Sequence, residues 1–282
     1  MVAARLIRIS LIAASCLAGS AALAQTLPAD GSDGSGDTVT IGLGGAYLPS
    51  YEGSDNYRII PAGVVRGRVK GFGFWSRGTQ LFLDLIPESG NGVDFSAGPI
   101  AGVRLNRTGG IKDAQVKALG KLNTAWEVGG FVGIAKTGVF TSAYDTIGAR
   151  VSYVKDVGNA HESHVITPAI EYGTPLSTRT YVGIGLSADF VGDGYARYYF
   201  DVSPAGSVAS GLPTFSAEGG FKSWGVNLLA VQSLSGDLRR GLAVAVLGSY
   251  NRLQKDFRRS PITSVAGSPN QWMGAIGLAY TF

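Results

Sequence analysis

The stretch Gln271–Phe282, QWMGAIGLAYTF, decides the fold. Read as an extended strand, it puts Trp272, Gly274, Ile276, Leu278, Tyr280 and Phe282 on one face, and Met273, Ala275, Gly277, Ala279 and Thr281 on the other. One face is apolar with aromatics at both ends; the other is small and weakly polar. In a soluble sandwich the apolar face packs on a second sheet. In a membrane barrel it meets lipid, with aromatics at the two interfaces. The aromatic ending, Tyr280 and Phe282, is expected to act as an assembly signal for the barrel-assembly machinery.

The rest of the chain repeats this alternation. Val39/Ile41/Leu43, Ile59–Arg68, Leu81–Leu85, Phe95–Arg104, Trp126–Ile134 and Ile147–Tyr153 all follow it. So do Ile166–Tyr172, Val182–Phe190, Trp224–Ala230 and Leu242–Asn251. Most segments have the length that crosses a bilayer at a tilt. Arg66, Arg68, Asp84, Arg104, Glu127, Arg150, Glu171 and Asp189 all fall on the small-residue face. A lipid-facing Arg or Lys costs about 2–4 kcal/mol at the midplane, so the charged face is predicted to be the lumen. The fold class is therefore all-β: a transmembrane antiparallel up-and-down barrel of about twelve strands, with ten as the alternative. Tyr195–Val202 is expected to be the twelfth strand. Short turns are expected at Lys70-Gly71, Val157–Asn159, Gly192–Gly194 and Ser235–Asp237 on the periplasmic side, where residues 106–121 stand out as a misfit of unusual length.

Composition agrees. Charged residues make up 16% and glycines number 42, which suits a chain with little solvent-facing surface. Residues 1–24 read as a secretory signal: basic Arg5 and Arg8, an apolar Leu11–Ala22, and an Ala22-Leu23-Ala24 cleavage site. Residues 25–37 read as a disordered periplasmic lead-in, and 38–282 as the barrel in the Gram-negative outer membrane. The sole cysteine, Cys16, lies in the signal, so the mature chain has no thiol chemistry. Removing Arg5 and Arg8 takes the formal charge from +4 to +2, which gives no case for nucleic acid.

Chemistry-bearing patterns are sparse. His161 and His164 are three apart, on opposite faces of a regular strand, and are expected to be solvated turn residues rather than metal ligands. Ser163 and Glu162 are only sequence neighbours of these histidines and make no triad. Gly42–Gly45 is glycine-rich but opens no helix, so it is read as relief of crowding inside the barrel. Arg239, Arg240, Arg252, Arg258 and Arg259 are expected near the ends of the last two strands, as a wet rim or as contacts to lipopolysaccharide phosphates or an anionic solute. No catalytic, metal or cofactor residue is assigned, and the chain is expected not to be an enzyme.

Three stretches resemble the MltA-interacting protein/OmpV family of outer-membrane proteins. Tyr47–Pro61 (YLPSYEGSDNYRIIP) carries Pro49, Tyr51, Gly53, Ser54, Asp55 and Pro61 of its opening motif. Tyr195–Phe221 is similar to its YF-x-V, S-G-L and G-G run. Tyr250–Thr263 (YNRLQKDFRRSPIT) carries Ser260, Pro261 and Ile262 of its SPI loop. The resemblance implies an outer-membrane barrel in contact with lipid and lipopolysaccharide. In one branch it implies a scaffold joining a lytic transglycosylase and a penicillin-binding murein synthase; in others, small-solute passage. Whether the lumen is open decides between these.

Overall fold

The computed structural model describes residues 37–87 and 92–282, so the signal segment and nearly all of the lead-in lie outside the described residues. Twelve antiparallel strands close into one barrel, each beside its sequence neighbours, with β1 (Thr38–Pro49) sealing against β12 (Asn270–Thr281). Between them run β2 (Tyr57–Val69), β3 (Phe72–Arg77), β4 (Gln80–Asp84), β5 (Val93–Arg104), β6 (Ala125–Thr137) and β7 (Thr146–Asp156). Then follow β8 (His164–Pro175), β9 (Thr180–Val191), β10 (Gly220–Ser233) and β11 (Gly241–Leu253).

The alternation sets which face is which. Leu43 is 72% exposed, Ile59 78% and Ile276 62%, whereas their neighbours Ala46, Ala62 and Ala275 are buried. Only lipid can receive so continuous an apolar exterior. Aromatic pairs mark its two rims. Tyr47 stacks on Tyr57, and Tyr250 meets both Trp224 and Trp272 at one end, while Tyr280 meets Phe282 at the other.

The twelfth strand is not the expected one. Tyr195–Val202 is not a strand: its first six residues lie in helix α2 (Asp193–Phe200). Tyr195, Ala196, Tyr199 and Phe200 are buried while Arg197 is exposed, a helical period of i, i+1, i+4 and i+5. The missing strand is β3, FGFWSR, whose inward face carries the large Trp75 and the charged Arg77 in place of small residues, so the alternation is masked. The exchange resolves the misfit. The start of β1, the end of β12, the turn 70–71 and the connections 138–145, 176–179 and 234–240 share one end. The long connections 105–124, 192–219 and 254–269 all lie at the other. Residues 106–121 are thus on the long-loop side, and Val157–Asn159 and Gly192–Gly194 join them there rather than forming short turns at the terminal end.

The β3–β4 hairpin is low. It pairs β2 only over Arg66–Val69, so the β2 edge above has no described strand neighbour. The 105–124 loop leans on that edge: Arg58 Nη1 donates to Gly109 O at 3.1 Å and Lys112 Nζ to Tyr57 O at 2.6 Å.

The closing seam explains part of the glycine-rich start of β1. Gly44 faces Gly277 across the β1–β12 ladder. A Cβ on Gly44 would stand 2.1 Å from Ile276 O and 2.6 Å from the Gly277 Cα, both backbone atoms. Gly45 points to lipid, its nearest such neighbour 4.0 Å away. Gly44→Val should therefore lower stability in lipid vesicles by about 2 kcal/mol or more, as overpacking against rigid backbone does. Gly45→Ala should leave the urea midpoint unmoved; equal effects at the two positions would contradict the seam geometry.

Candidate functional site

The lumen is filled from the long-loop end. Helix α2 descends inside the wall, and Tyr195, Tyr199 and Phe200, each at most 1% exposed, pack on inward residues such as Phe82, Phe131, Val154 and Val165. Beneath them Trp75, Phe82 and Phe131 form a ring cluster with centroids 5.2–5.4 Å apart. Above, α3 (Pro204–Ser210), α4 (Lys255–Arg259), α5 (Pro261–Ser264) and α1 (Ala114–Ala118) build a cap.

Charged side chains of the wall pair with one another around this plug, and Tyr195 of α2 contacts two of these groups. Arg104 holds Glu127 through two hydrogen bonds, Nε–Oε1 at 2.7 Å and Nη2–Oε2 at 3.1 Å. Glu127 also accepts from Gln80 Nε2 at 3.2 Å and lies 3.4 Å from His161 Nε2. The Arg104 guanidinium sits 5.3 Å from the Tyr195 ring centre, a cation–π contact between wall and plug. Lys222, 2% exposed, bridges Glu52 at 2.6 Å and Asp189 at 3.1 Å. Tyr195 donates its hydroxyl to the other Glu52 oxygen at 2.7 Å. A third group joins Arg77 and Arg150 to one carboxylate, Glu171, at 2.9 and 3.2 Å.

Of the charges assigned to the lumen by alternation, Arg104, Glu127, Arg150, Glu171 and Asp189 enter these groups. Asp84 stands at the terminal end of β4, accepting from the backbone N–H of Ile86 and Ala97, both at 3.1 Å. Arg66 and Arg68 lie on β2, half-buried and each with interactions of its own. Alternation missed Lys222, Arg77, Glu52 and His161. Lys222 is turned inward by an irregularity in the β9–β10 register between Phe221 and Ser223, which period-2 reading cannot register. Arg77 belongs to the unrecognised β3, and Glu52 is on a loop. His161 is no solvated turn residue: it is buried against the rings of Tyr195 and Tyr199, its Nδ1 accepting from Ser163 N. The anticipated arginine rim is divided: Arg239 and Arg240 sit at the terminal end, Arg252, Arg258 and Arg259 at the other.

The motif residues, distant in sequence, meet in the cap. Gly53, at φ +97°, donates its N–H to Gln271 Oε1 at 3.0 Å and accepts from Ser268 N at 2.8 Å. The Tyr51 hydroxyl donates to Ala266 O, and Gln271 Nε2 donates to Ser54 O at 3.1 Å. Pro49 ends β1, Asp55 is exposed beside Asn56, and Pro61 faces outward from β2. Pro261 and Ile262 are buried in the cap, and Ser260 donates its hydroxyl to Phe200 O at 2.6 Å, tying the cap to the end of α2. Arg107 does the same from the 105–124 loop, its Nη1 3.1 Å from Tyr199 O. A cation at a helix C-terminus is favourable. Burial pushes this guanidinium down to about 10, so it stays charged at neutral pH.

The family model described as MltA-interacting protein MipA matches residues 41–282. The chain belongs to this family. With its closed, lipid-faced wall, this MipA-family member is an outer-membrane β-barrel. Solved structures with which it aligns are distant in sequence. The outer membrane channel DcaP of Acinetobacter baumannii is 9% identical, with 88% of this chain and 96% of that chain covered and a TM-score of 0.40. The translocator domain of autotransporter NalP from Neisseria meningitidis is 12% identical, covering 89% and 90% at a TM-score of 0.38. The CymD monoaromatic hydrocarbon channel is 10% identical, covering 86% and 88% at 0.37. No curated protein matches the chain.

Two predictions follow from the charges. Glu127 is 1% exposed, so Glu127→Ala strands Arg104 and should cost about 3–5 kcal/mol, read from the urea midpoint. The paired Arg104→Met/Glu127→Leu change should cost less than Glu127→Ala alone, and a larger loss would show that the pair is a net source of stability. At the terminal end Asp145 accepts from the N–H groups of Val139, Phe140 and Thr141 at 2.6–2.8 Å. Burial opposes its ionisation, but these backbone donors and the Tyr172 hydroxyl outweigh it and hold the carboxyl well below its usual 3.8. A depressed folded pKa means the contribution is full above 3.8 and fades as pH falls below it. The 138–145 turn should resist protease at neutral pH and loosen only in strong acid, whereas Asp145→Asn should be nicked there at neutral pH.

Proposed function

We propose that this protein is a non-enzymatic, non-conducting outer-membrane barrel that serves as an interaction platform. The observation that carries this reading is the filled lumen: α2 and its cap occupy the bore, and Tyr195 of α2 meets Arg104 of the Arg104–Glu127 pair and Glu52 of the Lys222–Glu52–Asp189 group. A barrel built to pass solute has little use for so many inward charges neutralised by one another. The titratable groups that chemistry would need are engaged in the same way. His161 faces Glu127 across 3.4 Å and accepts from backbone through its other nitrogen. Its partners would be murein enzymes: the family's description speaks of interaction with MltA, and a lytic transglycosylase together with a murein synthase would meet the terminal-end turns 138–145, 176–179 and 234–240 from the periplasm. The polar cavity beneath α2 favours the alternative, a small-solute channel.

Planar-bilayer recording separates the two. The intact protein should give no stable conductance steps. Replacing residues 193–218 by a short Gly/Ser linker should give ohmic steps, because the wall closes without the plug. Stable steps from the intact protein would sink the non-conducting reading.

A further inference from the structure

The three charge groups of the lumen are not alike. Arg104 and Glu127 are matched one to one. Arg77 and Arg150 share the single carboxylate Glu171, whereas Asp189 and Glu52 share the single ammonium Lys222. One side of the interior thus has one cation too many and another one anion too many.

A cavity of about 90 Å³ lies between them. The charged residues of its wall are Arg77, Arg104, Arg150, Glu127 and Asp189, and the shared counter-ions Glu171 and Lys222 do not line it. Arg104 and Glu127 neutralise each other, which leaves the Arg77 and Arg150 guanidiniums and the Asp189 carboxylate, the last also accepting from Thr167 Oγ1 at 2.7 Å, as the charged groups the cavity meets beyond that pair. The buried Nε–H of Arg150 has no hydrogen-bond partner, a donor left free where donors are rarely left free. The register gives the spacing. Arg150 is level with Ala169, and Ala169 with Ser187, two residues from Asp189. Two strand spacings and one two-residue step put the charged ends about 12 Å apart along the wall at the backbone, before the side chains reach inward. At roughly 10–15 Å³ for each water-sized group, the cavity has room for about six to nine non-hydrogen atoms.

We propose that this cavity binds a small zwitterion of amino-acid size, its carboxylate toward Arg77 and Arg150 and its ammonium toward Asp189. A guanidinium pair takes a carboxylate by charge-assisted hydrogen bonds, and Asp189 takes the ammonium in the same way. Simple anions or cations satisfy only one end and leave the other uncompensated. The site stands whether or not the barrel conducts.

The test is calorimetric titration of the detergent-solubilised protein with glycine, and with acetate and methylammonium as its two halves. Glycine should bind saturably and about tenfold or more tightly than either half, the discrimination that one further hydrogen bond to a charged group supplies. Arg150→Gln and Asp189→Asn should each weaken glycine about tenfold. Ser187→Met fills the cavity from its lining without altering a charge and should abolish binding. Heat-modifiable gel migration verifies that each variant is folded. If folded wild-type protein shows no saturable glycine binding, if acetate or methylammonium binds as tightly, or if folded Ser187→Met binds like wild type, the proposal is overturned.

Discussion

A closed sheet of twelve strands encloses more space than its own inward side chains can fill, since about eight strands are the size at which a barrel packs its interior unaided. Here the inward face is rich in Gly and Ala, at positions such as Gly129, Gly133, Ala275 and Ala279. The excess volume must hold water or protein. This chain supplies protein, and that choice governs the rest. Long connections must gather at one end to furnish it, and the wall must carry charges to hold it. The plug must in turn bring aromatic rings such as Tyr195 and Tyr199, which offer area to the apolar wall and hydroxyls or π-faces to the charges.

Burying that many ions is expensive unless each is paired and its remaining hydrogen-bonding capacity is met. The groups around Glu127 and Lys222 meet that condition through different elements: β4, β5 and the 157–163 loop for Glu127; β9, β10, α2 and the 50–56 loop for Lys222. Each group starts from a pair on neighbouring strands, Arg104–Glu127, Arg150–Glu171 or Asp189–Lys222, while the Glu52–Lys222 and Arg77–Glu171 contacts join segments far apart in the chain. Such networks are poor sources of net stability. They help to exclude alternatives, because a plug displaced by one turn would take the Tyr195 hydroxyl from Glu52 and its ring from Arg104.

How much of this the sequence disclosed follows from the periods involved. Strands β1, β2 and β4–β12 were legible because lipid and lumen impose period 2 on them, and Arg104, Glu127 and Asp189 were placed by the same rule. Helix α2 was misread because YARYYF is aromatic and β-prone, while its burial follows the helical period of residues packed inside a tube. Strand β3 was hidden because Trp75 and Arg77 stand on its inward face where the other strands carry small residues. Lys222 was hidden by the register irregularity, and pairing partners cannot be inferred from alternation, which gives a face but not a depth or a neighbour.

The family-motif residues gain a physical meaning from the same constraint. Tyr51, Gly53 and Ser54 and the Ser260–Ile262 loop are not arranged as a reactive centre. Gly53 needs φ near +97°, and a Cβ there would meet Thr263 Oγ1 at 2.6 Å. A Cβ on Gly267 would stand 1.9 Å from the carbonyl oxygen of Gly53. The two loops approach too closely for side chains at their crossing. The Ser260 hydroxyl then reaches Phe200 O, so a clamp formed by residues some two hundred positions apart ends on the plug. In this position the residues fix the end of α2 inside the barrel. Their spacing reads in sequence as a signature because three separate loops must converge on one helix end.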